Sequence, residues 1–235
     1  MRELVSSVNN LPQHIAIIMD GNRRWARKKG LAIIKGHRRV ADKLIEELAD
    51  YCIKKGIGYL TLWAFSTQNW NRNLAEIQLM MDLFREMLDK NIQQLHQKGI
   101  KIKTIGDLSR FDQDIREKIE CGVEKTKQNQ NLTLTFALNY GGRDELLRAV
   151  NKVNQLPSRA KITQEIITQN LDTVDLPDPD LIIRPGGEKR LSGFLTWQSE
   201  YSELYFSDVL MPDFDTTELD KALAEYQHRQ RRFGK

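Results

Sequence analysis

The stretch H-I-A-I-I-M-D-G-N-R-R-W, residues 14–25, changes character within a few positions, and the order of that change decides how the chain is read. Ile15 to Met19 is a short apolar run of the kind that forms a buried strand. Asp20 ends it with a carboxylate, and Gly21-Asn22 supplies a turn. Arg23, Arg24, Arg27, Lys28 and Lys29 follow, so a carboxylate at a strand end faces a dense cationic segment. In an open α/β sheet, ligands bind beyond the carboxyl ends of the strands. One acid among several bases at such a place suits a metal-chelated phosphate or diphosphate. The plainer alternative is a basic turn facing water.

Strand-like and helix-like stretches alternate from there to the end, which argues for a mainly parallel sheet with helices on its faces. Six strands are predicted, at 14–20, 59–65, 101–107, 132–138, 181–184 and 203–208. Helices are expected at 38–55, 75–98, 112–129, 143–154, 163–170 and 215–232, with Gly56, Gly99 and Gly234 standing where helix stops belong. No repeat, low-complexity tract or long linker intervenes, so the 235 residues read as one α/β domain, 1–235, with a flexible segment over 1–11.

Lys and Arg outnumber Asp and Glu by 36 to 32, a mild excess that a local basic site explains better than a nucleic-acid-coating surface. The two cysteines, Cys52 and Cys121, fall in separate helix-like stretches without C-x-x-C spacing. A disulfide framework or zinc site is therefore not expected, and a reducing cytoplasm fits. The first residues lack the continuous apolar core of a signal peptide, and no run reaches the roughly 20 apolar residues of a membrane span. Membrane contact is expected only as peripheral, at the inner face of the membrane.

The helix at 75–98 carries an unusually wide apolar surface. Ile77, Met80, Met81, Phe84, Met87, Leu88, Ile92 and Leu95 form one stripe, which Leu79 and Leu83 widen beyond what packing on one sheet face needs. Two readings stand: core packing plus a dimer contact, or the lining of an apolar tunnel between sheet and helices.

Polar loops follow the strands. Ser66 to Arg72 follows the second, Asn139-Tyr140-Gly141-Gly142-Arg143 the fourth, and Arg184-Pro185-Gly186-Gly187-Glu188-Lys189-Arg190-Leu191-Ser192 the fifth. Arg184 and Arg190 around a Gly-Gly turn make a diphosphate clamp, because a guanidinium grips phosphate oxygens through paired donors. The run Asp175-Leu-Pro-Asp178-Pro-Asp180 looks like an aspartate-rich metal motif, but Pro177 and Pro179 prevent the helix that would align its carboxylates. It reads as an extended lead-in to the fifth strand.

The stretches M-D-G-N-R-R-W-A, G-H, L-W-A-F-S-T-Q-N-W-N-R, I-G-D, N-Y-G-G-R, D-L-I-I-R-P-G-G-E-K-R-L-S, W-Q-S-E-Y-S-E-L-Y-F and R-R-F-G resemble, in order, those of the cis-prenyltransferases, over about residues 12–235. The resemblance implies Mg²⁺-dependent condensation of isopentenyl diphosphate onto an allylic diphosphate such as farnesyl diphosphate. The new double bonds would be cis, and the product a medium- or long-chain polyprenyl diphosphate of the undecaprenyl carrier-lipid kind. It also implies a homodimer.

Residue by residue, Asp20 matches the family's essential aspartate, and Gly21, Asn22, Arg23, Arg24 and Trp25 its phosphate-binding segment. His37 matches the histidine that reaches a diphosphate. Ser66, Asn69, Trp70, Arg72 and Glu76 match the loop that closes over the substrates, with Ser66 and Asn69 beside Asp20 as candidate catalytic groups. Arg184, Arg190 and Ser192 match the isopentenyl diphosphate clamp, Glu203 a second Mg²⁺ carboxylate acting across the dimer interface, and Arg232-x-Gly234 a terminal element. The proton acceptor stays open among Asp20, the Ser66/Asn69 pair and the released diphosphate. Departures from the pattern are Ile33 for a usual arginine, with Lys35, Arg38 or Arg39 as candidate substitutes, and Val40, Gln68 and Pro185 for glycine, glutamate and threonine. Small Ala64 and large Leu138 give opposing signals on product length.

Two rival classes stand beside this reading. A non-catalytic partner subunit of a heteromeric cis-prenyltransferase predicts loss of Asp20 or of the Arg184/Arg190 pair, yet all three are present. A nucleic-acid-binding domain needs a basic stripe with exposed aromatics, whereas the aromatics here lie within apolar runs and acids are interleaved throughout.

Overall fold

The computed structural model describes residues 11–155 and 161–229. Its centre is β1 (His14–Ile18), all five residues of which are buried, as expected of a parallel strand covered on both faces. β2 (Tyr59–Ser66), β3 (Ile100–Ile105), β4 (Leu132–Tyr140), β5 (Leu181–Arg184) and β6 (Glu203–Phe206) complete a six-stranded sheet of order β3-β4-β2-β1-β5-β6. Every pairing among the described residues is parallel. All carboxyl ends therefore point the same way, as the alternating pattern required.

The helices are α1 (Asn22–Lys28), α2 (Ile34–Arg39), α3 (Ile45–Lys55), α4 (Leu74–Gln97), α5 (Gln113–Thr126), α6 (Gly142–Asn154), α7 (Gln164–Thr168) and α8 (Thr216–His228). A π-helical turn, Val40–Leu44, joins α2 to α3. The sequence reading treats 21–37 as a turn and cationic segment, and the structure corrects it: both α1 and the first turn of α2 lie there. A seven-residue helix whose exposed face is nearly all Arg and Lys has too little apolar periodicity to announce itself. The predicted helix at 163–170 shrinks to five residues, and the end of the one at 215–232 lies outside the described residues.

One sheet face buries Ile15, Ile17, Leu60, Leu62, Leu134 and Ile183 against Leu44, Leu48 and Cys52 on one side and Phe214, Leu219 and Leu223 of the α8 region on the other. The opposite face stacks Ala16, Ile182 and Tyr140 on Phe194 and Leu195. A register shift where β2 pairs with β4, over Trp63–Ser66, breaks the alternation. Such a bulge turns two neighbours to one side, and both Ala64 and Phe65 pack with the α4–α5 cluster. The aspartate-rich run forms no helix: Asp180 accepts the backbone N–H groups of Gln13 (2.7 Å) and His14 (3.0 Å), so it fastens the start of β1. Among the described residues no helix is long and apolar enough to cross a membrane.

Candidate active site

Asp20 lies just past the carboxyl end of β1, its side chain 29% exposed. Both of its oxygens face guanidinium groups. Arg184 donates to Oδ2 at 3.0 Å, and Arg24 Nη2 sits 3.2 Å from Oδ1. Arg24 also donates to the Gly186 carbonyl (2.7 Å), and Arg184 donates to Ser192 Oγ (2.9 Å) and to the Arg190 carbonyl. One carboxylate thus gathers the loops after β1 and β5. Arg184 is buried behind it.

A basic pocket of ≈ 270 Å³ opens in front of Asp20, walled by Gly21, Asn22, Arg23, Arg24, Arg27, His37 and Arg72. The α1–α2 packing that shapes it depends on Gly36, where a Cβ would stand 2.2 Å from the Asn22 carbonyl oxygen. Arg72 is held by Glu76 at 3.0 Å, and the same carboxylate takes Arg23 at 3.4 Å. Burial, reinforced by the charges of Arg72 and Arg23, lowers the His37 pKa to about 4. Among the described residues its buried Nε2 has no hydrogen-bond partner, and neither does the buried Asn22 Oδ1. Neutral imidazole beside the guanidinium groups of Arg23, Arg24, Arg27 and Arg72 is an arrangement that accepts a polyanion.

Directly continuous with this pocket, sharing Asp20, Asn22, His37 and Arg72, is a second cavity of ≈ 560 Å³. It runs between the sheet and α4–α5 and is mostly apolar, with Ala64, Met80, Phe84, Met87, Leu88, Ile92, Phe136 and Leu138 among its walls. Much of the α4 stripe therefore faces a void, which answers why the helix carries more apolar surface than one sheet face requires; Leu79 turns outward. Ser66 and Asn69 line this second cavity together with Asp20 and Arg72. Ser66 N–H donates to Asn69 Oδ1 (3.1 Å) while the Ser66 side chain accepts from the Asn69 N–H, which fixes the loop after β2.

The structure brings together Asp20, Gly21, Asn22, Arg23, Arg24, His37, Ser66, Asn69, Arg72, Glu76, Arg184 and Ser192. It places four others elsewhere. Trp25 is buried beneath Lys29 and Arg39, 5.2 and 5.7 Å from its ring, and lines neither space. Trp70 packs among Phe65 and Phe111 and donates to Asn139 Oδ1 at 2.8 Å. The Arg190 side chain is 60% exposed and pairs with Glu188.

Glu203 opens β6 opposite Leu181, which lies in register with Ile15, so it sits at the amino end of the sheet, roughly 17 Å along the strands from Asp20. Arg229 holds it at 2.9 Å. Within one chain Asp20 and Glu203 do not meet at a metal, because parallel strands carry them to opposite ends of the sheet. Arg232 and Gly234 lie outside the described residues. The candidate substitutes for the guanidinium missing at Ile33 are committed elsewhere, Arg38 to Glu86 and Arg39 to the Pro212 carbonyl, while Lys35 is exposed.

The sequence reading places Asn139 in a polar loop after the fourth strand but assigns it no role of its own. It is 3% exposed, adopts φ 46°, and ties two carboxyl-end loops, accepting from Trp70 and donating to the Asp107 carbonyl at 2.7 Å. Its position before a Gly-Gly pair was the available signal, since asparagine tolerates the left-handed region better than most residues.

Mg²⁺ typically binds through one or two carboxylates and substrate phosphate oxygens rather than in an all-protein cage. Asp20 at the mouth of a basic pocket fits that chemistry, and among the described residues no cluster of three or more His, Cys, Asp or Glu forms such a cage.

Comparison with known proteins agrees over nearly the whole chain. Residues 18–234 match a family model described as "Putative undecaprenyl diphosphate synthase". An isoprenyl transferase of Clostridium perfringens is 47% identical, covering 99% of this chain and 93% of its own; one from Aquifex pyrophilus is 45% identical, with 96% of each covered. Among solved structures, lavandulyl diphosphate synthase from Lavandula x intermedia, in complex with dimethylallyl diphosphate, superposes with TM-score 0.91 at 33% identity, covering 96% of this chain and 99% of that one. A probable undecaprenyl diphosphate synthase from Campylobacter jejuni gives 0.79 at 37%, covering 96% and 100%.

Proposed function

The chain belongs to the undecaprenyl diphosphate synthase family of prenyltransferases, and from that membership we infer that it extends an allylic diphosphate, farnesyl diphosphate in particular, with isopentenyl diphosphate units in cis. The observation that carries this reading is the junction at Asp20 of a basic pocket with an apolar cavity. That shape fits an amphiphile with a diphosphate head and a hydrocarbon tail.

In this reading Arg23, Arg24, Arg27 and His37 receive the allylic diphosphate, and the tail lies along α4. Arg184 and Ser192, with Arg190 swung in from Glu188, grip the isopentenyl diphosphate. Departure of the allylic diphosphate leaves a carbocation, so the basic pocket acts by stabilising the charge that develops on the leaving group. Bound Mg²⁺, held by Asp20, would supply further neutralisation of that charge. The cavity excludes water from the cation. The Ser66–Asn69 turn and Arg72 sit where the incoming double bond must approach, and one of Asp20, Ser66/Asn69 or the released diphosphate takes the proton. A homodimer would allow Glu203 of one copy to serve the other's metal. The product, of medium or long chain, would bring the protein to a membrane surface only peripherally.

The test is a single incubation of the purified chain with Mg²⁺, farnesyl diphosphate and labelled isopentenyl diphosphate, the products being dephosphorylated, sized and assigned for double-bond geometry. A ladder of cis polyprenols that Asp20→Ala abolishes is expected. No incorporation with farnesyl or any shorter primer overturns the reading in favour of a non-catalytic partner subunit.

A further inference from the structure

Two motifs, I-G-D at 105–107 and N-Y-G-G-R at 139–143, line neither the basic pocket nor the apolar cavity. They meet each other instead, at the carboxyl ends of β3 and β4. Gly106 adopts φ 106°, and a Cβ there would stand 2.0 Å from the Leu138 carbonyl oxygen, so only glycine lets the end of β3 pass this close to β4. The loop is anchored from its other side as well. Gly106 N–H donates to Asp172 Oδ2 (2.9 Å), and Arg148 of α6 holds that carboxylate through two bonds of 2.7 and 2.6 Å.

This bracing presents the Asp107 carbonyl to Asn139 Nδ2 at 2.7 Å. A carbonyl is met only by the amide NH₂ and an indole N–H only by the amide oxygen, so the two partners fix the Asn139 amide with Oδ1 toward Trp70 Nε1 (2.8 Å). Packing against Phe65 and Phe111 seats the Trp70 ring, and the bond to Asn139 fixes which way its N–H edge turns. The next two residues of the motif meet the same turn, Thr67–Asn71. Tyr140 is in register with Ser66, which caps it, and a Cβ at Gly141 would stand 2.9 Å from Thr67 Oγ1. Three consecutive residues at the end of β4 therefore seat a turn whose Ser66 and Asn69 line the cavity beside Asp20.

Resting on the function proposed above, we propose that Asn139 is a positioning residue: braced by the Asp107 carbonyl, it holds Trp70, and through Trp70 the neighbouring Asn69, where the incoming double bond approaches. Asn139 lines neither space and acts only through the turn. Its effect falls on the bond-forming step rather than on diphosphate binding, whose groups stand on the segments after β1 and β5.

The experiment compares Asn139→Gly, Trp70→Phe and the double variant with the unaltered chain for addition of the first isopentenyl unit to farnesyl diphosphate. Glycine accepts the φ of 46° without strain and removes only the side-chain bonds. Phenylalanine keeps an aromatic ring and removes the indole N–H. Asn139→Gly should lower kcat by about 5- to 100-fold, the scale of one buried donor left unpaired, with both KM values within about twofold of the unaltered chain. Trp70→Phe should show the same loss, and it carries the test where Asn139→Gly does not fold. Because both substitutions break one bond, the double variant should be no slower than the slower single one. The Trp70 indole N–H, identified in a heteronuclear NMR spectrum by its absence from Trp70→Phe, should exchange with solvent at least about tenfold faster in Asn139→Gly. Unchanged kcat, a rise in KM with kcat intact, losses that multiply in the double variant, or an indole exchange rate that does not move each overturn the positioning role. Failure of first-unit addition in the unaltered chain overturns the function itself, a separate outcome.

Discussion

Arg184 shows what a single residue contributes. Its guanidinium reaches Asp20, Ser192 and the Arg190 carbonyl at once, a fork that an ammonium group cannot reproduce. Arg184→Lys is therefore expected to raise the KM for isopentenyl diphosphate by about 10- to 100-fold, the scale of one lost charged hydrogen bond at roughly 1.5–3 kcal/mol, with fold stability little changed. Steady-state kinetics with the allylic primer saturating measures this. At this scale the sequence was legible wherever charge had to converge: Asp20, Arg24, Arg184 and Ser192 were identifiable as strand-end polar groups. It was misleading for Trp25, because motif membership does not say to which side of a helix a residue is carried, and it did not foretell that Glu203 stands at the amino end of the sheet.

Among elements, the close approach of α1 to α2 has the largest leverage on the site, since it places Asn22, Arg23 and His37 around one pocket. Gly36 makes it, with no space for a methyl group against the Asn22 carbonyl. Gly36→Ala is expected to separate the two helices, to cost about 1–3 kcal/mol of stability as overpacked sites do, and to weaken binding of the allylic diphosphate. Urea denaturation and titration with inorganic pyrophosphate read the two effects separately. The six strands and the long helices were legible from periodicity, with ends within a few residues. The region 21–37 was not, because short cationic helices carry no apolar stripe, and the bulge in β2 that turns Ala64 and Phe65 together follows from pairing with β4, which no local pattern encodes.

For the molecule as a whole, stability at low pH is set partly by His14. Its Nδ1–H donates to the Pro177 carbonyl (2.7 Å) and its Nε2 accepts from Thr61 Oγ1 (2.8 Å), and burial lowers its pKa from 6.5 to about 4. A basic group depressed in the folded state has no linkage effect above pH 6.5. Between 6.5 and 4 the unfolded chain takes up the proton first, so stability falls as pH falls, by about 3 kcal/mol in total at 1.36 kcal/mol per unit. The urea midpoint should drop over that window, with His37 adding a drop of the same sign, and His14→Gln should show a shallower decline. The parallel topology and single-domain organisation were readable from the order of elements alone.

The central strand also has a history. β1 emerges first from the ribosome, yet one of its two neighbours, β5, pairs Leu181 with Ile15 across 166 positions of sequence. At about 5–20 residues per second, some 10–30 s of synthesis pass with one edge of the most apolar strand uncovered. Nascent chains stalled before residue 180 should be bound by chaperones or lost to aggregation through that edge, while those released after β6 should not, which pulse-labelling of arrested chains would reveal. The position of β1 at the middle of the sheet, which brings Asp20 into reach of loops from both halves, thus leaves the strand that leads to Asp20 half-covered until β5 has been made.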